Sequence, residues 1–175
     1  MKRSQMVPLF AMILLAASFS CRVDAATKYQ PCALLTAAEL ETALRGKVDR
    51  SVERDTTIPD GPFKGEIMST CEWVLGSNTV TLNVIRGPKN SQEHAAGLAM
   101  LRATEAKLKQ QGWTIEPANI PGADCTSFKP PAGESAVPGA QCFMVSKGRA
   151  FGLGVNGSVA VQQVKALADK VAARL

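Results

Sequence analysis

Few side chains in this sequence are suited to chemistry, and their spacing pairs almost none of them. The single histidine, His94, would have to serve as the base of any Ser-His-Asp triad, yet no G-x-S-x-G element is present. It stands beside Glu93 near the start of a predicted helix, which indicates an exposed residue. The other candidates are carboxylates without a pairing that suits acid–base or glycosidase chemistry: Glu39, Glu66, Glu72 and Asp124. The sequence therefore predicts no enzyme, and catalysis by scattered carboxylates is the weakest functional hypothesis.

A glycine-rich stretch near the C-terminus, GLGVNG at residues 152–157, resembles part of a phosphate-binding loop. It lacks the lysine of a P-loop and does not complete the G-x-G-x-x-G spacing. Glycines also permit a bent strand and a tight turn before a helix. The sequence therefore implies no nucleotide and no other cofactor.

Residues 1–25 have the organisation of a secretory signal. Lys2 and Arg3 form a positive start, residues 7–19 are largely apolar, and Val23 and Ala25 are the small residues that a signal peptidase reads. The apolar run is shorter than the roughly 20 residues that a membrane span needs, so an uncleaved anchor is the less favoured alternative. We predict a signal peptide over 1–25 and one exported domain, periplasmic or secreted, over 26–175.

Cys21 offers a different route of export, because a lipoprotein carries its lipid on a cysteine that follows a Leu-small-small triplet. Here Ser20 is acceptable, but Phe19 is bulky and Ser18 replaces the usual leucine. Soluble export is therefore favoured over a lipid anchor at Cys21, and a membrane is expected as a partner only in the lipidated case. Either route removes Cys21 from the free thiols.

The mature chain keeps four cysteines, Cys32, Cys71, Cys125 and Cys142, in an oxidising compartment. Four cysteines allow three pairings. We favour pairing in sequence order, because each bridge then fastens a long loop to a strand and stabilises the fold by about 3–4 kcal/mol in the chain-entropy estimate. The chain has no C-x-x-C pair and only one histidine, so a zinc site is not expected.

The charge of the mature chain gives no indication of an acidic partner. Removing residues 1–25 takes away three of 20 basic residues and one of 15 acidic residues, which leaves 17 against 14 and a net charge of +3. No run of five Lys or Arg is present. Because a nucleic-acid surface needs a basic stripe with interleaved aromatic residues, we exclude nucleic acid as a partner.

Three segments have the pattern of amphipathic helices. Thr36 and Glu39 form a capping box for a helix over 37–45 that stops at Gly46. Asn90 can cap the next helix, which ends at Gly112 and carries the apolar stripe Leu98, Leu101 and Leu108. The last helix follows Ser158 and carries the stripe Val161, Val164, Ala168, Val171 and Leu175.

Two hairpins alternate with these helices. Apolar residues alternate over 71–75 and 80–84, and again over 142–146 and 149–155. The two patterns match at an offset of 71 positions, which suggests an internal duplication. With further strands near 48–54 and 113–115, we predict an α+β fold: an antiparallel sheet of two hairpins plus edge strands, with the three helices stacked on one face.

A Pro/Gly-rich loop precedes each hairpin, at 55–65 and 129–140, and we expect both loops at one end of the sheet. Loops on rigid scaffolds commonly carry recognition. We therefore predict a non-enzymatic module that binds an envelope protein or a small ligand. The alternative is an inhibitor or immunity protein that blocks a periplasmic hydrolase. The candidate contact residues are Pro59, Asp60, Pro62, Phe63, Pro130, Pro131, Glu134 and Pro138.

The segment PCALLTAAE at 31–39 resembles the opening of small bacterial envelope proteins and lipoproteins of unknown function, which begin P-C-x-L-L-T-x-x-E. Cys71-Glu72-Trp73 is similar to their second signature, a cysteine followed by an aromatic residue on a strand. Residues 121–124 resemble their G-x-G-D turn but depart from it at Ala123. The resemblance implies an exported domain with a Cys32–Cys71 link, and it implies no catalytic residue.

Overall fold

The computed structural model describes residues 29–175. The predicted signal peptide, its cleavage site and the Cys21 lipid site lie outside the described residues. Within residues 29–175, no helix is long and apolar enough to cross a membrane.

The fold contains three helices and seven strands. A 3-10 turn, Pro31–Ala33, precedes α1. The helices are α1 Ala37–Leu44, α2 Ser91–Gln110 and α3 Val161–Arg174. The strands are β1 Arg50–Thr57, β2 Ile67–Leu75, β3 Asn78–Arg86, β4 Thr114–Ile120, β5 Ala123–Lys129, β6 Gly139–Ser146 and β7 Arg149–Asn156.

The strands form one antiparallel sheet in the order β1-β2-β3-β7-β6-β5-β4. This confirms the α+β class and both predicted hairpins. The outer strands are longer than expected, and β5 falls in a segment where no strand was predicted. Pro117 lies within β4, which is compatible with pairing because β4 is an edge strand.

One face of the sheet, here called the core face, carries the apolar alternation of the hairpins. Side chains alternate between the two faces of a strand, so Leu82 and Leu153, which are paired across β3 and β7, share this face with the residues two positions away. These residues are fully buried. Helix α3 covers β5, β6 and β7 there, and the Pro31–Ala33 turn covers β1, β2 and β3.

Helix α2 corrects the prediction that all three helices stack on one face. It connects central β3 to edge strand β4 and lies over the opposite face, where its residues Gly97 and Leu98 meet Ile85 and Gly152 around a cleft. We call this the cleft face. The reason is topological: α1 and α3 already fill the core face, and the apolar stripe of α2 fits either face equally well.

Both disulfides pair as expected, Cys32 with Cys71 and Cys125 with Cys142. The first fastens the Pro31–Ala33 turn to β2. The second joins directly opposed residues of β5 and β6, with a Cα–Cα distance of 4.1 Å. Cys71, Cys125 and Cys142 are buried within the core.

The two hairpins have the same register, shifted by 71 positions. Cys71 pairs with Leu82 in the first hairpin, and Cys142 pairs with Leu153 in the second. Leu82 and Leu153 in turn pair with each other at the centre of the sheet. The hairpins are therefore related by an approximate twofold axis through this pair. The helices that follow them lie on different faces, so the symmetry is limited to the strands.

The same symmetry corrects the expected position of the two Pro/Gly-rich loops. The loop at 58–66 follows β1 and the loop at 130–138 follows β5. Because neighbouring strands alternate in direction, β1 and β5 run oppositely. The two nine-residue loops therefore lie at opposite ends of the sheet and do not form one surface.

Candidate functional site

A partly open cleft of about 770 Å³ lies between α2 and the cleft face of the sheet. The β1–β2 loop closes one side with Ile58, Pro59, Asp60, Pro62 and Phe63. The first half of α2 forms the roof. The volume lies in the range of small-molecule sites in proteins, which are concave, mostly apolar and largely preformed.

The floor of the cleft consists of side chains that alternate with the core. Met68 on β2, Ile85 on β3 and Phe143 on β6 line it. Phe143 is paired with Gly152 on β7, and a Cβ at Gly152 would stand 2.6 Å from the Phe143 ring. Gly152 is therefore required by the close approach of the ring, which forms an apolar surface across two strands.

The roof is loosely attached, because α2 buries none of its 20 residues completely. Leu98 and Leu101 are half-buried over the cleft, and Gly97 faces the Phe63 ring of the β1–β2 loop. A helix of a globular domain normally buries its apolar stripe in the core. Here that stripe faces the cleft.

Arg86 joins the floor, the loop and the roof at one end of the cleft. Its guanidinium donates to Glu66 of the loop and to both carboxylate oxygens of Glu93 on α2, and lies over the Phe63 ring. The Arg86 guanidinium, followed by the backbone N–H of Lys89, lowers the pKa of Glu93 to about 2. The Glu93 contact in turn raises the pKa of Arg86. The Arg86–Glu93 pair therefore remains charged and holds the start of α2 in place.

A second ion pair holds the middle of α2. Arg102 donates to Asp124 at the start of β5, at 2.7 Å, and also to Glu105 one turn along the helix. Both carboxylates raise the pKa of Arg102, with Glu105 the larger cause. Because Arg102 is half-exposed, we expect this pair to stabilise the fold less than the Arg86 cluster.

Three of the five polar side chains of the cleft wall have hydrogen-bond partners within the protein. Asn83 accepts from Thr70, Asp60 accepts from the backbone N–H of Gly61, and Asp124 accepts from Arg102. Across residues 29–175, no buried side-chain nitrogen or oxygen lacks a hydrogen bond. The wall is therefore mostly apolar, and the Thr56 hydroxyl and the His94 ring are its other polar groups.

The loop residues and the histidine singled out in the sequence lie in two places, the cleft and the opposite end of the sheet. Pro59, Asp60, Pro62 and Phe63 line the cleft. The second loop group, Pro130, Pro131, Glu134 and Pro138, lies at the other end of the sheet, where Pro131 approaches Gly112. His94 is exposed on the first turn of α2, at the rim of the cleft.

The four candidate carboxylates do not come together. Glu66 pairs with Arg86, Glu72 with Arg54, and Asp124 with Arg102. Glu39 completes the capping box of α1 and binds Arg174 and Lys170 of α3. Among the described residues, no group of three or more His, Cys, Asp or Glu is arranged to hold a metal ion.

The sequence pattern indicated the loop that closes one side of the cleft, but not its roof on α2 or its floor on the sheet. The loop residues stand out as a Pro/Gly-rich segment, whereas Leu98 and Leu101 fit the apolar stripe of a helix that packs on the core, and nothing in the pattern singles out Ile85 or Phe143. One signal was present in the sequence: α2 carries few large apolar residues for its 20-residue length, which is unusual for a helix that closes a core.

No protein-family model and no curated protein matches this chain. The function is therefore argued from the cleft itself.

Proposed function

We propose that this protein is an exported, non-enzymatic binding module whose ligand is an apolar small molecule held in the cleft beneath α2. The observation that carries the proposal is the cleft: about 770 Å³ of preformed space with apolar walls, under a helix that buries no residue completely. A helix with so little buried surface would pack more tightly on the sheet if filling the core were its only role.

Export is supported by the N-terminal pattern of residues 1–25 and by the two disulfides. Disulfides form and persist in oxidising compartments and are rare in the cytosol. Signal cleavage after residue 25 is the favoured route, and a lipid on Cys21 is the alternative. Intact-mass measurement of the exported chain distinguishes the two and counts the disulfides in the same experiment.

A binding role, as opposed to catalysis, is supported by the state of the ionisable groups around the cleft. Glu66, Glu93 and Asp124 are each engaged by an arginine. General acid–base catalysis needs a group that is within reach of substrate and titrates near the working pH. Glu93, which Arg86 holds charged, fastens α2 to the sheet and is poorly suited to that task.

The test is binding of an apolar fluorescent probe, N-phenyl-1-naphthylamine, to the purified exported protein. We expect saturable 1:1 binding that weakens at least tenfold in Leu101→Asp, because a carboxylate would enter the apolar cleft. Leu108→Asp is the matched control, since Leu108 lies on the same half-buried stripe outside the cleft wall. If the probe does not bind, or if both variants bind alike, the cleft is not a ligand site.

The second loop favours a second candidate function, inhibition of a periplasmic hydrolase. The loop at 130–138 is mostly exposed and presents Val137 with 49% of its surface accessible, at the end of the sheet away from the cleft. Titrating peptidoglycan hydrolases and proteases with the purified protein tests this role. Inhibition that is lost in Val137→Asp would support it, and unchanged activity of all these enzymes would exclude it.

A further inference from the structure

The shape and the walls of the cleft indicate what kind of apolar molecule it holds. We infer that the occupant is one extended acyl chain of an amphiphilic lipid, with the polar head left in solvent at the mouth of the cleft. This inference rests on the proposed function and narrows it to a ligand class.

The first argument is length. The cleft runs across the strands, from Thr56 on β1 to Asp124 on β5. The order of the sheet puts five strand spacings between these ends, and at about 4.8 Å each the cleft is about 24 Å long. One leaflet of a bilayer provides about 15 Å of hydrocarbon, half of the total core. An extended acyl chain therefore fits along the cleft, with space left toward a head group.

The second argument is width. Dividing about 770 Å³ by this length gives a mean cross-section of at least about 30 Å². Such a section admits a flexible chain along the whole cleft. Met68 and Met100 border the space, and methionine adapts its shape to a flexible chain more readily than branched side chains do.

The third argument is the small number of polar groups along the wall. Five of its side chains are polar, and three of them, Asn83, Asp60 and Asp124, each have an oxygen bound to Thr70, Gly61 and Arg102 respectively. A sugar, nucleotide or peptide would bury many donors and acceptors here without partners, at a cost for each. A hydrocarbon chain has no hydrogen-bond donor or acceptor that would be left unpaired in such a site.

The fourth argument concerns the mouth of the cleft. Met100 on α2 and Val145 on β6 line the cleft and keep 51% and 48% of their surfaces accessible. The described residues contain four large apolar side chains with at least 45% of their surface accessible, and two of them line the cleft. We place the mouth at these two residues. Exposed apolar rims mark sites of ligand or membrane interaction. The head of the lipid would emerge between these two residues.

The test is displacement of the naphthylamine probe from the purified exported protein by saturated fatty acids and by lysophosphatidylcholines of increasing chain length. We expect affinity to rise up to about fourfold per added CH₂ and then to level off once the chain fills the cleft. Fatty acids and lysophosphatidylcholines of equal chain length should bind alike, because the head lies outside. A rigid tetracyclic sterol should displace the probe poorly.

Blocking the cleft gives an independent measurement. Ala150 lines the floor on β7. In Ala150→Phe, the affinity should stop rising at a shorter acyl chain than in the native protein. Val74→Phe is the matched control, because Val74 is a half-buried strand residue outside the cleft wall. If Ala150→Phe does not fold, the chain-length series on the native protein decides the question alone.

The outcomes separate this inference from the proposed function. Suppose that the probe binds and Leu101→Asp weakens it. If its displacement does not depend on chain length, or if the sterol displaces it best, the acyl-chain inference is wrong and the proposed binding function stands. Affinities that follow the head group also overturn it. Absence of any probe or lipid binding overturns both proposals.

Discussion

Single charged residues in this protein fasten one element to another. Arg174 at the end of α3 donates to both carboxylate oxygens of Glu39 and to the carbonyl of Leu34. Together with the backbone N–H of Thr36, it holds the pKa of Glu39 well below its usual range. Arg86 joins Glu66 to Glu93 in the same manner on the cleft face. These carboxylates therefore hold elements of the fold together.

The Arg86–Glu93 contact makes the docking of α2 sensitive to acid. The pKa of Glu93 is about 2 in the folded protein and about 4.5 in an unfolded chain. The unfolded state therefore binds more protons between these values, and the stabilising contribution of Glu93 is complete above pH 4.5 and is lost as the pH falls toward 2. The free energies of unfolding of the native protein and Glu93→Gln, measured in urea, should differ most at neutral pH and converge as the pH falls to about 2.

The matched control is Glu134→Gln, on an exposed residue of the loop at 130–138. Its difference from the native protein should stay constant over the same pH range. A difference between the native protein and Glu93→Gln that does not change with pH would show that the ion pair adds nothing to stability.

At the level of strands and helices, the cleft exists because the two faces of the sheet are built differently. The core face of β7 carries Phe151, Leu153 and Val155, whereas its cleft face carries Ala150, Gly152 and Gly154. Small residues on that face leave room for cross-strand aromatic rings. Phe143 lies over Gly152, and Phe128 lies over Gly139 in the same way.

Gly152 and Gly154 provide a direct comparison, because they are neighbours on the same face of one strand. A Cβ at Gly152 would stand 2.6 Å from the Phe143 ring, whereas a Cβ at Gly154 meets nothing closer than 3.9 Å. Gly152→Ala should therefore lower the free energy of unfolding by about 1–3 kcal/mol through overpacking, as measured by urea denaturation. Gly154→Ala should be close to neutral.

The double variant Gly152→Ala/Phe143→Leu should recover most of the loss, because the smaller side chain no longer meets the added methyl group. If Gly152→Ala and Gly154→Ala lowered the free energy of unfolding equally, the Phe143 ring would move aside freely and would not define the cleft floor.

Over the whole molecule, the sequence predicted the parts better than their arrangement. The Thr36 capping box and the hairpins are confirmed, since each rests on a local pattern. Both disulfides pair in sequence order as predicted, but the second joins two strands, β5 and β6, and not a long loop to a strand. The side of the sheet crossed by α2 could not be predicted, because a half-buried stripe such as Leu98 and Leu101 suits either face. The opposite placement of the loops follows from strand directions that no short segment encodes. The cleft is a product of this arrangement and was therefore missed.

The two disulfides stabilise the whole domain, and the loops that they close differ enough in length to test the source of this stability. The Cys32–Cys71 bridge closes a separation of 39 residues and the Cys125–Cys142 bridge a separation of 17. Chain entropy of the unfolded state predicts losses of about 4 and about 3 kcal/mol when each pair is replaced by alanine. The burial of the two bridges in the folded protein predicts the larger loss of stability for the second bridge. Cys125 and Cys142 are both buried, whereas Cys32 is only half-buried.

Urea unfolding of the two double variants, each with the other bridge intact, separates these explanations. We expect Cys32→Ala/Cys71→Ala to be the less stable, with amide exchange near Tyr29 accelerated as well, since that bridge alone joins the Pro31–Ala33 turn covalently to β2. A greater loss in Cys125→Ala/Cys142→Ala would assign the stabilisation to packing beneath α3. In that case the second bridge is chiefly a filler of the core, and the ladder between β5 and β6 is sufficient to align their residues.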